Sequence, residues 1–269
     1  MNTATSPFKY DEPAATYHAS NAIGSSRAKL AITSLQLFKD SLDGIVSFPD
    51  RPVFQIGRLA HTMVLEPAKF DQLVVTQGPI NPNTSEPYGR STKAFAQWQQ
   101  DNPDVTVVEP WLYRMLDRMP AEVRSIFDRG HPEVSVRTTN DLGLHVQCRP
   151  DWIHNTQVWD LKTIDDIADI DRTVRRYHYW FSQEWYRNVL RSATGLDHSF
   201  TFIFCEKKPP HRWRIVPLSE EFSDIGAFYA QDVMARIAEA QNSGDWSDKK
   251  SIHYTCHKLE WFGIDGDEL

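Results

Sequence analysis

Cysteine is scarce in this 269-residue chain: Cys148, Cys205 and Cys256 stand far apart and are odd in number. That argues against a disulfide framework, a zinc site or an iron–sulfur centre, and fits a reduced, cytoplasmic setting. No apolar run approaches the roughly 18 residues of a membrane span, so no membrane partner is expected. Residues 1–7 lack the charged start and apolar core of a secretion signal. Phosphate-loop, Rossmann and nucleophile-elbow glycine signatures are missing, so neither ATPase nor helicase work is expected from this chain by itself. Positive charge is short as well: 29 Lys and Arg against 36 Asp and Glu give a net charge of −7. A nucleic-acid partner, which needs cations at its phosphates, would have to meet a local basic groove on an acidic body.

What is present suffices for a buried core, since 41% of residues are hydrophobic and 12% aromatic. This length suits one large domain or two small ones. Residues 1–16 carry no periodic pattern and two prolines, and read as a flexible or loosely docked arm. From Ser25, the residues Leu30, Ile32, Leu35, Phe38 and Leu42 recur at near-helical spacing, with Ser34 as an internal N-cap and Gly44 as a stop. A helix over 53–65, ended by Pro67, puts Phe54, Gly57, Arg58, His61 and Leu65 on one face. The loop-rich stretch 76–93 leads through Arg90 and Lys93 into a helix carrying Phe95 and Trp98. Such a helix start is either a solvated end or a phosphate-contacting one. A packing helix is predicted over 110–128, and strands over 133–137 and 142–148 about an Asn140-Asp141 turn.

The longest helix candidate, 169–192, buries Val174, Tyr177, Phe181, Trp185 and Leu190 and carries Arg172, Arg175, Arg176 and Arg187 as a basic surface. Strands over 199–205 and 213–217 flank a Lys207-Lys208-Pro209-Pro210 turn, whose two lysines suit a phosphate backbone. A closing helix over 220–241 buries Ile225, Phe228, Met234 and Ile237, and Ser243-Gly244-Asp245-Trp246 ends it. In the tail, His253, Cys256 and His257 lack the second cysteine pair of a metal site, and Trp261 and Phe262 are expected to dock on the body or a neighbouring subunit.

Chemistry concentrates between Arg149 and Tyr186. Arg149-Pro150-Asp151-Trp152-Ile153 and Val158-Trp159-Asp160-Leu161-Lys162-Thr163 read as two short strands about an Asn155-Thr156 turn, Asp151 and Asp160 each ending one. Alternation sends Asp160 and Lys162 to one face and Leu161 into the core. Two carboxylates beside an ammonium suit a hard divalent cation whose remaining positions are filled by water and substrate phosphate. Gln183 and Tyr186 lie one turn apart on a helical face. Taken alone, His61, Glu133, Gln183 and Tyr186 read as packing or surface residues.

In order, Asp151, Asp160-x-Lys162 and Gln183-x-x-Tyr186 resemble the PD-(D/E)xK nuclease superfamily. Within it they resemble the RecE-type exonucleases (exonuclease VIII), relatives of lambda exonuclease and the RecB nuclease domain. Tyr17-His18-Ala19-Ser20 with Ser25-Ser26, the run from Gly57 to Pro67 around His61, and Pro132-Glu133-Val134-Ser135-Val136 are similar to further family elements, so the likeness spans roughly residues 17–245.

The resemblance implies one α/β domain over 17–269 with its nuclease core about 131–218: a mixed central β-sheet flanked by helices, with an N-terminal helical elaboration. It implies a catalytic set of Lys162, Asp151, Asp160, Glu133, His61, Gln183 and Tyr186. Asp151, Asp160, His61, Glu133 and the Leu161 backbone carbonyl would hold one or two Mg²⁺ ions, with Mn²⁺ able to substitute. Lys162 is placed as a water-positioning or charge-stabilising group, since a free lysine near pKa ~10.4 is a poor base. Arg90, Lys93, Arg172, Arg175 and Arg176 are the candidate DNA contacts. The implied activity is a 5′-3′ exodeoxyribonuclease on double-stranded DNA ends, yielding 3′ single strands for recombination. The implied partners are a single-strand annealing recombinase and further copies of the chain in a ring, a tetramer before a trimer. A structure-specific or restriction-type endonuclease would share the metal site. A catalytically silent DNA-binding module is the third reading, and the intact acids and lysine speak against it.

Overall fold

The run from Ser199 to Glu206 alternates Phe200, Phe202 and Phe204 with Thr201, Ile203 and Cys205. An extended chain turns such a pattern into two apolar faces, and a strand apolar on both faces belongs between two layers. A computed structural model, which describes residues 6–48, 52–73, 75–108 and 110–248, shows this arrangement.

The first half of the chain folds as β1 (Phe8–Lys9), α1 (Ala14–His18), α2 (Ser25–Ala28), α3 (Leu30–Thr33), α4 (Leu35–Leu42), α5 (Pro52–Leu65), α6 (Pro67–Phe70), β2 (Val75–Thr76), α7 (Lys93–Asp101), β3 (Thr106–Val107), α8 (Pro110–Asp117) and α9 (Ala121–Ile126). The second half folds as β4 (His131–Pro132), β5 (Ser135–Thr139), β6 (His145–Cys148), β7 (Trp152–His154), β8 (Gln157–Ile164), α10 (Ile170–Arg176), α11 (Tyr179–Thr194), β9 (Ser199–Glu206), β10 (Trp213–Val216) and α12 (Glu220–Ser243).

The central sheet runs β10-β9-β8-β7-β4. It is antiparallel except at β8 and β9, which pair in parallel from Gln157↔Ser199 to Ile164↔Glu206. The chain between them, α10 and α11, is the crossover that a parallel pair requires. A second, antiparallel sheet runs β1-β5-β6, and β2 and β3 form a small parallel pair. The mixed α/β architecture is the expected one.

On one side of the central sheet, Phe200, Phe202 and Phe204 pack with Phe181 and Trp185 of α11 and Val233 of α12. On the other, Leu161, Ile203 and Cys205 pack with Ala60 of α5 and Leu112 and Met115 of α8. Each large side chain buried this way contributes about 1.5–3 kcal/mol, so α5 and α11 are clamped onto opposite faces of the strand that carries Asp160 and Lys162.

Several boundaries differ from the predicted ones, each for a local reason. The helix predicted over 110–128 breaks into α8 and α9 because Pro120 lacks an N–H and disfavours a helical residue before it. The helix predicted over 169–192 breaks between Arg176 and Tyr179, where His178 is left-handed with φ 52°. The strand expected at Glu133 begins at Ser135, and the one expected at Leu142 begins at His145.

Neither Asp151 nor Asp160 ends a strand. Asp160 lies inside β8, and Asp151 lies in the link where Pro150, unable to donate to a ladder, lets the chain pass from one sheet to the other. The arm expected to be flexible or loosely docked makes these contacts over its described part: Phe8 and Lys9 pair with β5, and Arg137 donates to both Glu12 carboxylate oxygens at 2.7 and 3.0 Å. Ser34 caps α4 by accepting from the Leu37 N–H, as the spacing predicts. Residues 1–5 and the tail with His253, Cys256, His257, Trp261 and Phe262 lie outside the described residues. No helix among the described residues is long and apolar enough to cross a membrane.

Along α12 the buried line is Gly226, Ala230, Val233, Met234 and Ile237, whereas Phe228, expected inside, is 67% exposed. Gly226 is where α12 meets α11: a Cβ there would lie 2.4 Å from the Trp180 carbonyl oxygen and 2.8 Å from Glu184 Cγ. In an open helix, alanine would gain about 1 kcal/mol over glycine. Here overpacking of about 1–3 kcal/mol outweighs that gain, so Gly226→Ala is expected to lower stability. Urea unfolding checks this; a midpoint at or above wild type would show that the α11–α12 contact yields.

Candidate metal centre and substrate cleft

Three chain segments far apart in sequence bring His61, Glu133 and Asp151 together. One ligand atom from each lies within 4.8 Å of the others. His61, on the last turns of α5, has its Nδ1 3.6 Å from Asp151 Oδ1 and 4.0 Å from Glu133 Oε1. Glu133 reaches this point because its backbone is left-handed, φ 50°, an uncommon conformation for a residue with a side chain. The turn is held by its N–H donating to the Asp151 carbonyl at 3.0 Å and by Arg149 Nε donating to Glu133 Oε2 at 2.7 Å. Asp151 is oriented by its other oxygen, Oδ2, which accepts the Leu161 N–H at 2.7 Å from β8.

Lys162 stands beside this trio. It is ion-paired with Asp160, lies 3.9 Å from Asp151 Oδ2 and reaches the Leu161 carbonyl at 3.4 Å. The predicted alternation therefore holds: Asp160 and Lys162 share a face. Asp160 pairs with the lysine and is not among the three donors that lie within 4.8 Å of one another.

Burial and like charge set the electrostatics. Burial, then Asp151 nearby, pushes the Glu133 carboxyl up to about 7. Burial, then Asp160, pushes Asp151 up to about 8. Burial and Lys162 push His61 down, which favours the neutral imidazole that can donate a lone pair. Burial alone would lower Lys162, but Asp160 and Asp151 reverse it and keep the ammonium charged. Burial and Lys162 push Lys29 down to about 7. Two crowded carboxylates and a neutral imidazole form an oxygen-rich donor set that a divalent cation fits, its charge relieving the repulsion that drives protons onto Glu133 and Asp151.

His61, Glu133 and Asp151 line a cleft of about 1000 Å³. Its wall includes Ser25, Arg27 and Arg58 from the N-terminal helices, with Arg149 and Tyr186 from the core. Arg149 Nη1 is buried with no hydrogen-bond partner among the described residues.

Residues 25–259 match the family described as a PDDEXK-like domain of unknown function, DUF3799. The chain belongs to that family. Its fold is also similar to the crystal structure of a candidate exonuclease from Eubacterium rectale. That likeness covers 95% of this chain and 100% of the other, with a TM-score of 0.64 and 13% identity. No curated protein sequence matches it.

Within this PDDEXK-like domain the other sequence-predicted residues divide. Tyr186 lines the cleft, and its hydroxyl donates to the Arg149 carbonyl at 3.4 Å. Gln183 is turned elsewhere: its buried amide donates to Ser223 of α12 at 2.9 Å and to Glu184 at 3.1 Å. The Leu161 carbonyl lies at the centre, accepting from Lys162. Arg172, Arg175 and Arg176 are exposed on α10, as a basic surface requires. Arg187 does not join them, because it donates to Glu184 and to the His198 carbonyl. Arg90 donates to the Val107 carbonyl at 2.8 Å, a fold-supporting bond, while Lys93 is exposed at the start of α7. Lys207 pairs with Asp165.

Sequence reasoning missed Arg149 and Lys29. Arg149 carried a signal, its place two residues before Asp151; Lys29 carried none.

The shifted acids give a pH signature. Glu133 and Asp151 titrate higher folded than unfolded, so the folded state holds extra protons and their contribution to stability is lost as pH rises from about 4 toward 8. A cation binds the deprotonated ligands, so its stabilisation grows over the same window. The rise in melting temperature caused by Mn²⁺ is expected to be larger at pH 8 than at pH 6, and to be largely lost in Asp151→Asn. Thermal scans at the two pH values check this; an increment independent of pH, or retained in the variant, would exclude the cluster as the binding site.

Proposed function

We propose that this chain is a divalent-metal-dependent deoxyribonuclease that removes nucleotides from the 5′ strand at the ends of linear double-stranded DNA. The observation that carries the reading is the convergence of His61, Glu133 and Asp151 beside the Lys162–Asp160 pair, on the wall of a cleft that also holds Arg27, Arg58 and Arg149. The fold shared with the candidate exonuclease from Eubacterium rectale supports the preference for ends.

Mg²⁺ or Mn²⁺, held by His61, Glu133 and Asp151 with Asp160 and the Leu161 carbonyl alongside, would polarise the scissile phosphate and make water more acidic. The remaining work falls to the chain. Lys162, kept charged and fixed by Asp160, orients the attacking water and offsets charge developing on the phosphate; a lysine held this firmly protonated does not act as a base. Arg149, with one N–H on Glu133 and its Nη1 unpaired among the described residues, supplies a donor to a phosphate oxygen. Tyr186 braces the Arg149 backbone. In hydrolysis the water oxygen bonds to phosphorus, the ester P–O bond breaks, and the departing oxygen takes up a proton. The exposed Arg172, Arg175 and Arg176 contact the DNA backbone. The same reading assigns the product, a 3′ single strand, to a single-strand annealing recombinase, and places several copies of the chain in a ring around DNA, a tetramer before a trimer.

Linear duplex DNA labelled at either 5′ end, incubated with and without Mg²⁺ beside a closed circular control, tests the reading. Early release of 5′ label as mononucleotide with circles untouched is the expected result. Lys162→Met should lower kcat by about 10²–10³-fold, the loss typical of removing one preorganised charge-stabilising group, with the fold checked by circular dichroism. Cut circles would replace the exonuclease with an endonuclease, and wild-type protein inert on every DNA would end the nuclease reading.

A further inference from the structure

Between α10 and α11 the chain builds a column of rings that runs from the core to water. Phe202 on β9 is buried and stacks on Tyr179, with ring centres 5.4 Å apart and planes 24° from parallel. Tyr179 stacks in turn on Tyr177 at 5.9 Å and 26°. Tyr177 is 51% exposed, so the column ends in an aromatic ring open to solvent.

Cations flank each outer ring. Lys162 Nζ lies 5.6 Å and Lys29 Nζ 5.5 Å from the Tyr179 ring centre, and Arg176 lies 5.6 Å from that of Tyr177. The backbone is bent to make this arrangement. Tyr177 and Tyr179 flank His178, whose left-handed conformation (φ 52°, ψ 47°) costs a side-chain-bearing residue about 1–2 kcal/mol. Lys29, from the C-terminal end of α2, fixes the bend by donating to the Tyr177 carbonyl at 2.8 Å.

We infer that Tyr177, backed by Tyr179, forms a stacking platform for an unpaired base of a single nucleic-acid strand, with the exposed Arg176 set for its phosphates. The inference rests on the nuclease reading in taking a nucleic-acid strand as occupant. Charge complementarity selects that occupant: on a chain of net charge −7, the exposed ring of Tyr177 is flanked by Arg176, with Arg172 and Arg175 exposed on the same helix. A paired duplex hides its base faces in its own stack and could not use an exposed ring. A strand with separated bases offers a flat π-face and a phosphate at each step, which is the pairing of rings and cations found here. Lys162 touches Tyr179 and belongs to the metal centre, so the column of rings links the platform to the site of cleavage.

Fluorescence anisotropy at one fixed salt concentration tests this, using labelled oligothymidine and an abasic oligomer of the same length, with Ca²⁺ in place of Mg²⁺. Wild type is expected to bind oligothymidine about tenfold tighter than the abasic strand, the scale of stacking one base. Tyr177→Ala should abolish that preference and Tyr177→Trp restore it. Equal binding of the two strands by wild type, binding of neither, or a preference that survives in Tyr177→Ala would overturn the platform. Base-dependent binding with no nucleotide release in Mg²⁺ would support the platform and remove the nuclease reading. Nucleotide release with no base preference would do the reverse.

Discussion

Repulsion among Glu133, Asp151 and Asp160 is the constraint around which this structure is arranged. Three carboxylates drawn out of bulk water raise one another's energy, and each is met by a specific compensating group: Arg149 for Glu133, the Leu161 N–H for Asp151, Lys162 for Asp160. Removing one member of a buried charge pair typically costs about 3–5 kcal/mol, so these partners are not interchangeable decoration. They come from the link before β7 and from the middle of β8, which fixes both segments relative to each other. Helix α5 must then pack on that side of the sheet for His61 to complete the group.

An acidic chain can hold a phosphate-facing site because net charge is a property of the whole surface and recognition is local. Some of the 36 acidic residues bear on the metal centre, while others are spent on neighbouring arginines and lysines, as Glu206 and Asp166 are on Arg212 and Asp165 is on Lys207. Arg27 and Arg58 line the cleft, and Arg176 and Lys29 lie beside the stacked tyrosines.

What the sequence allowed one to read was whatever depends on a fixed period or a single residue's chemistry. Asp160 and Lys162 sharing a face follows from strand alternation. Ser34 as a cap and the β9–β10 hairpin follow from local signals. The rest depends on neighbours distant along the chain. His178 turning left-handed, and Glu133 doing the same, leave no compositional trace, because ordinary side chains are forced there by surrounding contacts. Lys29 finds its partner at Tyr177, 148 positions away. Arg187 reads from the sequence as part of a basic surface, but Glu184, three residues earlier, holds it. Gln183 lay on the right helix, yet Ser223 of α12 takes up its amide. The family pattern grouped these residues in order, and only tertiary packing could say which members of it meet.

The parallel pairing of β8 with β9 has a consequence in time as well as in space. Parallel neighbours cannot be joined by a tight turn, so β8, already paired with β7, gains its second neighbour only after all of α10 and α11 has been made and folded back over the sheet. Such long-range closures are slow compared with local ones. On a chain emerging from the ribosome, His61, Glu133, Asp151 and Lys162 are all synthesised before the strand that seats them. Completion of the site therefore waits on a strand made after all of its own residues, a delay written into the order of the strands.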